Sequence, residues 1–112
     1  MYLQHYVTRR RVLENWRTYV ERLCAPARAL LGEARVAVFG SVARGDWAPD
    51  SDIDVLIISP NAPEDPWRRA EISKALKDSA GEASTVLELH IVTPRQYEEW
   101  YKKFIDKEID IC

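Results

Sequence analysis

At 112 residues, 46% hydrophobic and 30% charged, the chain has the size and composition of one globular domain with a single core. A formal net charge of −2 leaves no basic excess, which argues against a broad nucleic-acid surface and so against direct nucleic-acid binding. No apolar run is long enough to cross a bilayer and no signal-peptide pattern stands at the N-terminus. Cys24 and Cys112 form no metal spacing and read as free thiols, so the expectation is a cytoplasmic, reducing compartment.

Residues 2–31 carry Tyr6, Leu13, Val20 and Ala27 at helical spacing, with a second series at Trp16, Leu23 and Leu30. That pattern predicts a helix with one apolar stripe, kinked near Pro26, where a backbone donor is missing. The heptad-like spacing raises a coiled coil, but the repeat is short and Arg9 occupies a seam position, so a helix packed on its own sheet is the better reading. The Arg9 to Arg11 triplet reads as a solvated helix face. Gly32 stops the helix as a C-cap glycine would.

The central stretch runs from Val36 to Ile58. An apolar, β-type run (Val36 to Phe39) breaks at Gly40-Ser41, passes through a polar loop containing Gly45, Pro49 and Asp50, and resumes as Ile53 to Ile58. Both runs predict buried strands, and Ser41 to Arg44 one short helical turn. Asp52 and Asp54 stand at the start of the second strand, on one face, roughly 6.5 Å apart at Cα from the strand rise. Two carboxylates on the face of a core strand need a compensating positive charge, because an uncompensated buried charge is expensive. A glycine turn that admits close backbone approach, with a serine hydroxyl beside it, suits phosphate oxygens, and the carboxylates suit a hard cation. Together they describe a metal–nucleotide site. Arg44 has two readings, a triphosphate contact or an ion pair to Asp46 or Asp50. Trp47 likewise stacks on a base or serves as a packing lid.

Ser59 to Pro63 is a turn-rich connector, and a helix follows from about Pro66 to Ala80, with Ile72, Ala75, Leu76 and Ser79 facing inward and Gly81 ending it. The third strand spans Thr85 to Val92. Along it Glu88 and His90 share a face of a largely apolar strand, where neither belongs by propensity. An edge-strand charge is the simpler reading of Glu88; His90 reads as a structural histidine ahead of one that positions an acceptor or a carboxylate. Thr93, Pro94 and Gln96 then form a capping box with proline at N1, opening a helix that carries Tyr97, Trp100, Tyr101, Phe104 and Ile105 on one face. The segment from Asp106 to Cys112 reads equally as a short added strand or a frayed tail.

Gly40-Ser41, ten intervening residues and then Asp52-Ile53-Asp54 resemble the signature of the DNA polymerase β-like nucleotidyltransferase superfamily. The fuller string Phe39-Gly40-Ser41-Val42-Ala43-Arg44-Gly45-Asp46, followed by Ser51-Asp52-Ile53-Asp54-Val55-Leu56, is similar to its minimal nucleotidyltransferase branch. The resemblance covers nearly the whole chain. It implies an α/β (α+β) fold in one domain, residues 1–112, with a three-stranded mixed sheet and helices packed on one side. It also implies two Mg²⁺ ions held by Asp52, Asp54 and a third carboxylate on a later strand. Glu88 is the acid available there, although most relatives carry aspartate at that place.

By the same resemblance, ATP is the substrate, with Gly40, Ser41 and Arg44 at its phosphates, and AMP passes to a hydroxyl acceptor. Members of this branch typically pair with a helical HEPN protein, a ribonuclease toxin, and act as antitoxin by adenylylating it, which makes a tyrosine of such a partner the expected acceptor. Two alternatives stand beside this: a non-catalytic binding antitoxin that acts through the aromatic helix, and a free-standing transferase for a small hydroxylated acceptor such as an aminoglycoside. The aromatic surfaces are also compatible with a homodimer.

Overall fold

The structure is a computed structural model that describes residues 2–112. Its N-terminal region is three helices in place of one kinked helix: α1 (Tyr2–Glu14), α2 (Trp16–Glu21) and α3 (Cys24–Leu31). The first break falls at Asn15, whose φ of −120° leaves the helical region while its side-chain amide donates to the Arg11 carbonyl at 2.8 Å. A side chain that competes for backbone acceptors in this way favours an interruption. Pro26 is not the cause of a kink, because it sits in the first turn of α3, where a missing N–H has no helical acceptor to lose. Leu13, Val20, Leu23 and Ala27 are buried as the stripe requires, but the changes of axis leave Tyr6 and Leu30 about half exposed. Gly32 ends α3 at φ +75°, its N–H donating to the Arg28 carbonyl at 2.8 Å.

Four strands form one mixed sheet in the order β3-β2-β1-β4: β1 (Arg35–Phe39), β2 (Ile53–Ile58), β3 (Leu87–Val92) and β4 (Glu108–Asp110). A five-residue helix, α4 (Gly40–Arg44), leaves the end of β1, and β1 and β2 pair antiparallel. From β2 the chain crosses through α5 (Pro66–Ser79) to β3, which lies parallel to β2. On α5, Leu76 is buried and Ile72 partly so, whereas Ala75 and Ser79, expected to face inward, are exposed.

The fourth strand is the C-terminal segment that the sequence left open. It pairs antiparallel with β1, and Arg35 fastens it by donating to both Glu108 and Asp110. Ile111 and Cys112 extend the attachment by backbone hydrogen bonds to Val36. Cys24 and Cys112 form a disulfide with Cα atoms 6.3 Å apart, which corrects the reading of free thiols and ties α3 to the chain beyond β4. Cysteines 88 positions apart carry no local spacing signal; only the docking of β4 brings them together.

The two faces of the sheet are unequal. Val36, Val38, Ile53, Val55, Ile57, Leu87 and Ile91 pack with α1–α3 and α5 in the main core. Ala37, Leu56, Ile58 and Val92 point the other way, beneath Tyr97, Tyr101 and Ile105. Tyr97 and Tyr101 belong to a continuous helical run made of α6 (Pro94–Gln96), a π-helical segment (Tyr97–Tyr101) and α7 (Lys102–Phe104), and Ile105 is the extended residue that ends it. Helices therefore lie on both faces, not on one. The capping box of Thr93 and Gln96 opens this run as the sequence predicts. Its wider π turn keeps residues four apart in line and swings those three apart outward, so Tyr97 and Tyr101 pack down while Trp100 and Phe104 are 63% and 71% exposed. Among the described residues no helix is long and apolar enough to cross a membrane.

Candidate active site

Strand pairing sets the geometry. β2 is central, and its first outward-facing position within the strand, Asp54, lies opposite Phe39 on β1 and Glu88 on β3. On the parallel side the register is unshifted from Ile53↔Leu87 to Ile58↔Val92, so Glu88 and His90 project on the same face as Asp54. β3 is an edge strand, which leaves this corner of the sheet open: Glu88 is more than half exposed, Asp54 and His90 about a quarter.

Gly40 stands directly against Asp54. At φ +75° it occupies a backbone region that L side chains rarely adopt, and an added Cβ would fall on Asp54 Oδ2, with Cγ only 3.3 Å away. The glycine admits the carboxylate into the angle between β1 and α4. Ser41 follows it as a half-buried residue of α4, its carbonyl accepting from the N–H groups of Gly45 and Asp46.

His90 is wedged between aromatic rings. Its centroid lies 5.2 Å from Phe39 and 5.6 Å from Tyr101, both in edge-on arrangements, and Nδ1 faces the Tyr101 hydroxyl at 3.4 Å. This fixes Nε2 toward the carboxylates, 3.7 Å from Asp54 Oδ1 and 3.8 Å from Glu88 Oε1. Nε2 is buried and has no hydrogen-bond partner. Both separations exceed a hydrogen bond, yet fall within the roughly 4.2 Å available to two ligands that share one ion at bonds of about 2.1 Å. Asp54, Glu88 and His90 each present a ligand atom, all within 4.8 Å of one another. Partial burial and then the adjacent Asp54 carboxylate push the Glu88 carboxyl above its ordinary value, with Asp52 adding to the effect and His90 opposing it. Crowded anions around an unpartnered ring nitrogen fit a divalent cation.

The other expected residues lie outside this cluster. Asp52 precedes β2, is half exposed, and pairs with Arg9 of α1 at 3.3 Å. Arg9 also donates to the carbonyls of Pro49 and Ser51, so one guanidinium ties the loop before β2 to the N-terminal helix. Its side chain is 14% exposed, which overturns the reading of the arginine triplet as a solvated face at this position. The other two also have partners, Arg10 with Glu14 and Arg11 with Glu82. Arg44 pairs with Asp46 at 3.2 Å and also with Asp106 at 3.6 Å. Trp47 is partly buried against the main core, in keeping with a packing lid. The sequence did not assign Arg9 to the site, and it ranked a structural role for His90 above one in positioning the acceptor or a carboxylate. For His90 the signal was its place two residues beyond Glu88 on one strand face; for Arg9, 43 positions from Asp52, there was none.

Beside the cluster opens a cavity of about 260 Å³ lined by Phe39, His90, Trp100, Tyr101, Phe104 and Ile105. His90 is thus shared between the carboxylates and an aromatic wall.

No curated protein matches the sequence closely. Among solved structures, a candidate nucleotidyltransferase from Sulfolobus solfataricus superposes with a TM-score of 0.62 at 15% identity, over 92% of this chain and 85% of its own, which is a likeness of fold. The family described as nucleotidyltransferase domain matches residues 17–110, a span that runs from α2 to β4 and takes in the Gly40 turn, both aspartates, Glu88 and His90. The chain belongs to the nucleotidyltransferase domain family.

Proposed function

We propose that the protein is a Mg²⁺-dependent nucleotidyltransferase that moves AMP from ATP to a tyrosine hydroxyl of a HEPN-type toxin, and so serves as its antitoxin. The observation that carries the transferase reading is the convergence of Asp54, Glu88 and His90 beside a glycine whose missing side chain makes room for Asp54. Asp52, Asp54 and Glu88 would hold the metal, which when bound neutralises the triphosphate and lowers the barrier to attack at its α-phosphorus. The acceptor oxygen forms the new O–P bond as the bond between the α-phosphorus and the bridging oxygen breaks. Pyrophosphate leaves with that electron pair, and the acceptor's proton passes to Glu88.

An aromatic acceptor is supported by the cavity at His90, whose lining carries no carboxylate or cation of the kind that would hold a sugar or an aminoglycoside. The protein partner is supported by the resemblance and by the exposure of Trp100 and Phe104 at the rim of that cavity. The same exposure favours the second reading, a binding antitoxin that occludes its partner without chemistry.

The test is incubation with α-labelled ATP and Mg²⁺, alone and with a HEPN-type partner, comparing wild type with Asp54→Asn and Asp52→Asn. Label on the partner is expected to fall about 10²-fold or more in Asp54→Asn. Absence of label from every sample, with complex formation intact in the variants, would overturn the enzymatic reading in favour of occlusion.

A further inference from the structure

The carboxylates of a nucleotidyltransferase centre call for a hard cation, and oxygen ligands alone would serve it. Here the third converging atom is a nitrogen. His90 Nε2 is buried and unpartnered, and the ring cannot swing away: Phe39 and Tyr101 hold it edge-on from two sides, with Nδ1 at the Tyr101 hydroxyl. A hydroxyl at one ring nitrogen and an unpaired second nitrogen directed at acidic ligands is the pattern of a metal-binding histidine whose orientation is set from behind. An imidazolium neutralising Asp54 and Glu88 would instead draw its N–H to about 2.7–2.9 Å from one of the oxygens, whereas both lie nearly an ångström further out, at 3.7 and 3.8 Å.

We infer that His90 Nε2 is a direct metal ligand beside Asp54 and Glu88, so that the centre is a mixed nitrogen–oxygen site selecting a first-row transition ion such as Mn²⁺ over Mg²⁺. The inference rests on reading the cluster as a cation site; it adds the donor set and revises one part of the proposed function, placing a transition ion where Mg²⁺ is otherwise expected. The physical ground is ligand preference: Mg²⁺ favours oxygen donors in near-ideal octahedral geometry and keeps several waters, while imidazole raises affinity for transition ions along the divalent series.

The experiment is Mn²⁺ binding to the whole chain, read from the electron paramagnetic resonance of free Mn²⁺, with nitrogen coupling read by electron spin-echo modulation of the bound ion. The chain has two histidines, His5 and His90, so the assignment is unambiguous. Wild type and His5→Gln should show modulation from a directly coordinated nitrogen. In His90→Gln it should vanish, with Mn²⁺ affinity falling about tenfold or more while Mg²⁺ affinity, from competition, changes by less than about twofold. The spectrum of unaltered protein decides the matter even if His90→Gln folds poorly. Bound Mn²⁺ without nitrogen coupling, or no Mn²⁺ binding at all, overturns the inference. Label transfer from ATP on the same samples keeps the two claims apart: transfer with oxygen-only coordination overturns this inference alone, and nitrogen coordination without transfer overturns the proposed function alone.

Discussion

Gly40 opens α4 and Gly45 caps its end with nearly the same φ, +75° and +83°, but in different surroundings. An added Cβ at Gly45 meets nothing within 4 Å, whereas one at Gly40 falls on Asp54 Oδ2. Alanine at either position must hold a left-handed φ at a cost of about 1–2 kcal/mol. For a domain of this size that lowers the thermal midpoint by roughly 4–8 °C. The overlap at Gly40 is with the end of a short side chain, so it is relieved by rotating the carboxylate away rather than by deforming the sheet. Gly40→Ala and Gly45→Ala are therefore expected to lose stability within about 1 kcal/mol of each other, yet to differ at the site, because a ligand must stay within about 0.5 Å of its working position. Mn²⁺ affinity should fall about tenfold in Gly40→Ala and stay within about twofold of wild type in Gly45→Ala. Calorimetry and metal titration on the paired variants check this. Equal metal affinity in the two would refute the argument that Gly40 exists to admit Asp54.

Reduction of the Cys24–Cys112 disulfide, which spans 88 positions, should cost about 2–4 kcal/mol of stability by releasing the denatured chain. Thermal unfolding with and without reductant reads it, Cys112→Ser should match the reduced protein, and an unchanged midpoint would count against the pairing. Glu82 accepts from Arg11 and from the Tyr19 hydroxyl, and these partners, Arg11 first, hold its carboxyl below the ordinary 4.5. A lowered folded-state value means that the stabilisation is complete above the unfolded value and disappears as pH falls through the folded one. Glu82→Gln should therefore flatten the loss of stability below about pH 4.5 in denaturant titrations, and an unaltered acid limb would refute this link between α1, α2 and the turn before β3.

The sequence made the start of β2 legible because two signals of different kind met there: a glycine-serine break after one apolar run and two aspartates, Asp52 and Asp54, at the entry of the next. The bounds of β2 needed no correction, since Ile53 to Ile58 is β-branched at four of six places and apolar but for Asp54. Glu88 was legible as an acid on a strand, but its meeting with Asp54 depended on parallel pairing of β3 with β2 in the register Asp54↔Glu88, which no local pattern states. His90 shared the face of Glu88 in the sequence, yet its role turns on Phe39 and Tyr101, which belong to β1 and the π-helical segment. Arg9 was out of reach for the same reason, as was the disulfide. Where the sequence misled, at the single N-terminal helix and the single aromatic face, a local interruption altered the rotation of residues that period counting had placed together. Asn15 did so in the first case and the π turn in the second.

The division of the sheet into two faces explains how a chain this small tolerates an acidic cluster on its central strand. Alternation along β2 sends Ile53, Val55 and Ile57 into the large core and Asp54, Leu56 and Ile58 to the thinner side. Burial of residues such as Leu13, Leu23 and Leu76, at about 1.5–3 kcal/mol each, is concentrated on the first face. The second face holds four buried residues beneath the C-terminal helical run, and the carboxylates lie at its open end. Repulsion among Asp52, Asp54 and Glu88 therefore acts where solvent reaches and little packing depends on it. Neutralising that cluster should change ligand binding more than folding, whereas truncation in the first face should do the reverse. The His90 ring joins the two demands: one side packs on Phe39 and Tyr101 and closes the thin core, while its free nitrogen faces the charges.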